Sequence, residues 1–272
     1  MWKFFSWLFK KKPKKIKLGI ALGSGGAKGF SHLGALKAFE ENGVEFDIVA
    51  GTSIGSLVGA LYCSGYSATD IYKLIENVDV GEIKNLLMVN MDTLGLKRVI
   101  ERNLKVQNIE ELKKPFMVVT TNLETAEEKV FSKGNIASAV CASCSYPPFF
   151  KPVEIDGERF IDGAFCNSVP ADLVKEMGAD FIVGIDLANH NAQPGLLQRI
   201  FPTFQGKVKE PWQKGYEFSD IMLHMDLKDY KSISFDKRAE MFDIGYKTAM
   251  ENMPKILDGI ENAKKTRLKG KK

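Results

Sequence analysis

Residues Phe46–Gly65 read FDIVAGTSIGSLVGALYCSG. The first five, FDIVA (46–50), form a short apolar run of strand type, and SIGSLVGALYCSG (53–65) has the composition of a small-residue helix that packs close to its neighbours and stops at Gly65. Between them lies GTSIG (51–55), a G-x-S-x-G. A serine presented as a nucleophile needs such a motif between a strand and a helix. Gly51 and Gly55 let the chain turn sharply without side-chain clashes, and the helix N-terminus lies under the Ser53 oxygen. A serine hydroxyl attacks well only when a base takes its proton. The chain has only three histidines, His32, His190 and His224, so the base of Ser53 is the question the sequence raises.

Working outward, IKLGIAL (16–22) reads as a buried strand, GSGGAKG (23–29) as a loop and FSHLGALKAFEEN (30–42) as a helix ending before Gly43. Ser67 with Asp70 makes a capping box for the next helix, and another helix covers roughly 94–104. Strands are expected at 115–123 and 128–132, and a small-residue helix at 136–144. Residues 152–164 read as a hairpin turning at Asp156-Gly157, with Pro147 and Pro148 shaping the turn before it. A helix at 170–178, a strand at 180–187 and a last helix at roughly 237–263 follow. Residues 190–220 are the least regular, with Pro and Gly among Phe, Leu and Trp, and suit a lid or an apolar rim. Strands alternating with helices predict an α/β layered fold with a mostly parallel sheet.

Composition narrows the function without assigning it. Hydrophobic residues are 44% and charged residues 26% of 272, which suits a globular chain with a sizeable core. The net charge of +4 hides an asymmetry: residues 1–17 hold seven lysines and residues 264–272 hold six Lys/Arg, neither with an acid. Removing these 13 from the 38 basic residues leaves 25 against 34 acidic ones, a body charge of about −9. Such a body does not suit nucleic acid. Trp2, Phe5 and Phe9 ahead of a lysine cluster suit an anchor on an anionic membrane surface. The order of charge and apolar residues is the reverse of a signal peptide, and the run is too short to span a bilayer. The expected arrangement is a tail at 1–15, one folded domain at 16–263 and a basic tail at 264–272, located in the cytoplasm and peripheral on the inner membrane face. Cys63, Cys141, Cys144 and Cys166 include one CxxC and no second one, so they read as small buried thiols in a reducing compartment.

Two further motifs complete the site. LGSGGAKGFSHLGAL (22–36) places a Gly-rich turn after a strand and before a helix, where unpaired backbone N–H groups hold a phosphate or an oxyanion. As a dinucleotide fingerprint it fails in both registers: from Gly23 the sixth position is Lys28, and from Ser24 the first glycine is missing. A P-loop is absent as well, so the oxyanion reading is the better one. FIDGAF (160–165) places an acid, Asp162, at a strand end. By itself that is a common turn aspartate.

Together, GSGGAKG, GTSIG and DGA in this order resemble the patatin-like phospholipase family. The resemblance extends over SYPPFFKPVEIDGERFIDGAFCNSVPAD (145–172) and DIGYKTAMENMPKI (243–256), from about residue 16 to 260. It implies a three-layer patatin-like fold and a lipid acyl ester hydrolase with a Ser–Asp dyad and no histidine. Carried over, Ser53 is the nucleophile, Asp162 its base, and the N–H groups of Gly25, Gly26 and Ile54 the oxyanion donors. Gly23, Lys28, Gly29, Gly51, Gly55, Gly163 and Ala164 support these motifs. The substrate implied is a membrane lipid acyl ester, with no cofactor and no metal. Ser24 departs from the family's usual Gly-Gly-Gly and bears on the loop geometry.

Other readings stay open at this point. The order Ser53, Asp162, then His190 or His224 formally satisfies the Ser-His-Asp triad of an α/β-hydrolase. A membrane-bound scaffold or regulator with weak esterase activity is a second class, and a nucleotide-binding protein a third. His32 on the first helix reads as a packed, hydrogen-bonded histidine. Lys28 suits either an anionic head group or an acid that fixes the loop.

Overall fold

The computed structural model describes residues 15–76, 92–188 and 210–269. The aromatic N-terminal run with Trp2, Phe5 and Phe9, His190, residues 190–209 of the expected lid and the last three residues, 270–272, lie outside the described part. The strands are β1 (Leu18–Leu22), β2 (Ile48–Thr52), β3 (Phe116–Asn122), β4 (Glu128–Phe131), β5 (Val153–Ile155), β6 (Glu158–Asp162), β7 (Phe181–Asp186) and β8 (Ile221–His224). The helices are α1 (Phe30–Glu41), α2 (Ile54–Ser64), α3 (Ala68–Glu76), α4 (Leu94–Asn103), α5 (Ile136–Ser143), α6 (Ala171–Glu176), α7 (Gln213–Phe218) and α8 (Arg238–Lys269).

The strands form one sheet in the order β5-β6-β3-β2-β1-β7-β8, with β4 on β3. From β3 to β8 the neighbours are parallel, and β4, β5 and β6 pair antiparallel. The pleat sorts side chains onto two faces. Leu18, Ile20 and Leu22 of β1 and Val183 and Ile185 of β7 enter the larger core, with Leu33, Leu36, Val58 and Met253 from α1, α2 and α8. Ala21 and Ile182 point the other way, into a smaller core with Leu173 and Val174 of α6. Helices therefore cover both faces, the three layers expected of a mostly parallel sheet buried on both sides.

Local signals in the sequence have their structural counterparts. Asp70 N–H donates to Ser67 Oγ at 3.1 Å and Ser67 N–H to Asp70 Oδ2 at 3.3 Å, the reciprocal capping box of α3. Asp156 and Gly157 both take positive φ, 52° and 81°, as a two-residue hairpin turn requires. Three expectations change. The stretch read as irregular contains α7 at its described end, and β8, the short partly exposed edge strand that follows, was not anticipated. The last helix passes the expected end at 263 and carries Lys264, Lys265 and Arg267. Strong helix formers, with cations at the negative end of the helix dipole, favour that extension. No described helix is long and apolar enough to cross a membrane.

Candidate active site

The register of β3 explains how two distant motifs meet. β4 occupies one edge of β3, with Val118 opposite Phe131 and Thr121 opposite Glu128. Val118 and Val119 also pair with β2, and Thr120 and Thr121 also pair with β6. A strand has two edges, so β2 and β6 share the other one, end to end. Parallel β2 stops with Thr52 opposite Val119, and antiparallel β6 stops with Asp162 opposite Thr120. Their carboxyl ends run head-on into each other. The residue after Thr52 is Ser53.

Ser53 sits in the turn at φ 56° and ψ −126°, a conformation that costs a non-glycine residue about 1–3 kcal/mol. The surroundings hold it there. Its N–H donates to Ser143 Oγ at 2.8 Å, and the Ser143 hydroxyl donates onward to the Val119 carbonyl at 2.6 Å. Its carbonyl accepts from Ser56 Oγ at 2.6 Å. The glycines of GTSIG are steric necessities: a Cβ on Gly51 would run into the Gly55 carbonyl, and one on Gly55 into the carbonyl of Leu22.

Ser53 Oγ donates to Asp162 Oδ2 at 2.6 Å, and Ala164 N–H donates to Asp162 Oδ1 at 2.9 Å. The main chain of Asp162 is held on both sides, by its N–H to the Ser145 carbonyl at 3.0 Å and by Thr121 Oγ1 to its carbonyl at 2.9 Å. Asp162 is 1% exposed and Ser53 7%. Burial pushes the Asp162 carboxyl up from 3.8 to about 7, against the pull of the Ser53 and Ala164 hydrogen bonds. The result is a carboxylate far more basic than a free aspartate, in contact with the Ser53 hydroxyl. Cys144 lies beside the pair, and burial with the Asp162 charge holds its thiol well above its usual range.

The Gly-rich loop closes the site from β1. Gly23 N–H donates to the Ile185 carbonyl at 3.0 Å, Ser24 N–H to Ser168 O at 2.9 Å and Ala27 N–H to Ser232 O at 2.8 Å. Among the described residues no oxygen accepts from the N–H of Gly25, Gly26 or Ile54. Gly26 has φ +60° and lies against Ser232, while Ser24 is not in the left-handed region, so the serine there asks nothing unusual of the backbone. A Cβ on Gly29 would meet Ile54, which brings the loop against the start of α2, and a Cβ on Gly163 would meet the Val119 carbonyl.

The two described histidines, His32 and His224, stand elsewhere. His32 is fully buried and its Nε2 meets the Gly23 carbonyl at 2.8 Å, which makes Nε2 the protonated nitrogen. Burial holds it down to about pKa 4, so it stays neutral and braces the loop. His224 Nδ1 lies 3.4 Å from Asp186 Oδ2 and 3.3 Å from the Tyr216 hydroxyl, at the ends of β7 and β8. Lys28 is buried, and its ammonium is lowered by that burial and partly restored by the charge of Asp186. Sequence reasoning missed Ser143 and Ser145. Their only signal was a small-residue helix leading into the hairpin, and the groups they brace come from β2, β3 and β6.

A strand–serine–helix turn whose hydroxyl meets a buried carboxylate, on a three-layer α/β sheet, defines the class of serine hydrolases. A family model described as patatin-like phospholipase matches residues 20–175, and the chain belongs to that family, a family of lipid ester hydrolases. It is 34% identical to patatin-like phospholipase domain-containing protein 6 of Mus musculus over 185 residues, 64% of this chain and 14% of that protein. It is 30% identical to neuropathy target esterase sws of Drosophila melanogaster over 281 residues, 88% of this chain and 20% of that protein. Both relatives are thus several times longer than the part they share with it. Among solved structures, VipD from Legionella pneumophila matches with TM-score 0.58 at 16% identity, covering 90% of this chain and 67% of that one. Human GIVD cytosolic phospholipase A2 matches with TM-score 0.52 at 12% identity, covering 92% and 60%. These two likenesses show the fold.

Proposed function

We propose that this protein hydrolyses lipid acyl esters of the phospholipid or lysophospholipid type, with Ser53 as nucleophile and Asp162 as its only base. The observation that carries the reading is the 2.6 Å contact from Ser53 Oγ to a fully buried Asp162 whose carboxyl sits near pKa 7. Ser53 Oγ attacks the ester carbonyl carbon while its proton passes to Asp162 Oδ2. The N–H groups of Gly25, Gly26 and Ile54 receive the developing oxyanion, each such donor contributing about 3–4 kcal/mol to the barrier reduction. The ester C–O bond breaks, Asp162 returns the proton to the leaving alcohol, and an acyl-Ser53 remains. Water then gives a proton to Asp162 and attacks the acyl carbon; the acyl C–Oγ bond breaks, Asp162 passes that proton to Ser53 Oγ, and the fatty acid leaves.

The substrate class is supported by family membership and by relatives such as the one named lysophospholipase NTE1 of Kluyveromyces lactis, 30% identical over 63% of this chain. Attachment of the Lys-rich ends to an anionic membrane belongs to the same reading. Fatty acid release from phosphatidylcholine and lysophosphatidylcholine tests it, with intact-mass detection of an acyl adduct. Wild type should release fatty acid and carry the adduct at Ser53, and Ser53→Ala should do neither. Release that survives Ser53→Ala would sink the reading.

A further inference from the structure

Of the four most exposed large hydrophobic residues in the described part, three are carried on segments tied to the site: Ile233 at 61%, Phe149 at 57% and Leu94 at 52%. Ile233 follows Ser232, whose carbonyl accepts the N–H of Ala27 in the Gly-rich loop. Phe149 lies in the turn opened by Ser145, whose carbonyl accepts the N–H of Asp162. Leu94 follows Thr93, whose carbonyl accepts from the thiol of Cys141, one helical turn before Cys144. Tyr146, 41% exposed, stacks on Phe165 with ring centroids 4.8 Å apart, and its hydroxyl is raised by burial and by the Asp162 charge. Two loops and the first turn of α4 thus hold large apolar groups in water on segments hydrogen-bonded to the surroundings of the site. Folding gains nothing from that exposure, and several such side chains around one site mark an interaction surface.

The charges near these residues favour one occupant. Lys97 pairs with Glu101 at 4.0 Å, Lys228 with Asp226 at 3.5 Å and Lys237 with Glu240 at 2.7 Å, so the rim presents no field of a single sign. Exposed Lys151 and Lys231 each stand two residues from Phe149 and Ile233 and suit the phosphate that every phosphatidylcholine carries. Aromatic and branched side chains with a few cations are the composition that settles at the boundary of headgroups and acyl chains.

We propose that Leu94, Tyr146, Phe149 and Ile233 form an apolar rim that inserts into a zwitterionic lipid surface and brings the mouth of the Ser53–Asp162 site against it. This rests on the lipid-ester reading and adds to it a docking surface distinct from the Lys-rich ends. The two attachments differ in salt dependence: the ends act through charge and are screened at high salt, whereas apolar insertion persists.

The test is co-sedimentation of the full chain with phosphatidylcholine vesicles at about 0.5 M salt, in a Ser53→Ala background so that binding is read without turnover. Replacing Phe149 and Ile233 together by Ser should lower the partition coefficient at least about tenfold. Leu257→Ser, at a residue 43% exposed on α8, should leave it unchanged. Phe149, Ile233 and Leu257 are all exposed, and matched melting curves establish that each variant is folded. Binding equal to the parent in the rim variant, or equal losses in both, would overturn the proposal. So would a parent that ignores these vesicles, or a dimer that the rim variant dissolves. Retained Ser53-dependent cleavage of a soluble ester would then leave the hydrolase reading standing while the rim falls.

Discussion

Replacing Asp162 by Asn should abolish catalysis and, at alkaline pH, make the protein more stable. The carboxyl ionises at an ordinary 3.8 when exposed and at about 7 when buried in the fold. Between those values the folded chain holds a proton that the unfolded chain has released, so wild type loses stability as pH rises from 3.8 to about 7 and then levels off. Keeping the carboxylate charged in its buried site costs about 4 kcal/mol above pH 7, at about 1.4 kcal/mol per tenfold. At about pH 5 the same relation gives a cost of about 2 kcal/mol. Asparagine fills the same volume, still accepts from Ala164 N–H and never ionises. The stability advantage of Asp162→Asn should therefore grow by about 2–3 kcal/mol between pH 5 and pH 8.5. Urea unfolding of both proteins at the two pH values measures it. A difference that does not change with pH, or that shrinks as pH rises, would refute the claim that burial raises this carboxyl.

Further outcomes follow from the same geometry. Ser53→Ala should reduce ester hydrolysis at least about a thousandfold with the fold intact, read as kcat on a soluble ester. Ser143→Ala removes the acceptor of the Ser53 N–H and the donor to the Val119 carbonyl, leaving two buried backbone groups unpaired; it should cost about 2–4 kcal/mol in urea unfolding and lower kcat more than it changes KM. Gly55→Ala drives a methyl into the backbone carbonyl of Leu22, which cannot turn aside, and should destabilise by about 3 kcal/mol while displacing the nucleophile.

What could be read from the sequence was local. GTSIG after an apolar run predicted the turn that holds Ser53 at positive φ, Ser67 and Asp70 predicted the cap of α3, and Asp156-Gly157 predicted the hairpin leading to Asp162. Each signal lies within a few residues of the structure it specifies. The meeting of β2 and β6 on one edge of β3 was not legible, because register along a shared strand depends on three segments far apart in the chain. For the same reason the brace from Ser143 and the basicity of Asp162 were invisible: an isolated aspartate titrates near 3.8, and only the groups packed around this one raise it. β8 escaped because four partly exposed residues at a sheet edge carry little pattern. The resemblance to patatin-like phospholipases supplied the pairing of Ser53 with Asp162 that the motifs alone left open; in the structure Ser53 Oγ donates to Asp162 Oδ2.

The most direct measurement is the pH profile of kcat/KM in a variant lacking every histidine, with Gln at position 32 to keep a donor toward Gly23 and Ala at positions 190 and 224. A rising limb near pH 7 is ordinarily the mark of histidine, yet here it should belong to Asp162. The account predicts that the histidine-free protein stays active and keeps that limb at the same pH as wild type. Loss of activity in a folded variant, or a limb that disappears with the histidines, would contradict it and return the proton to an imidazole.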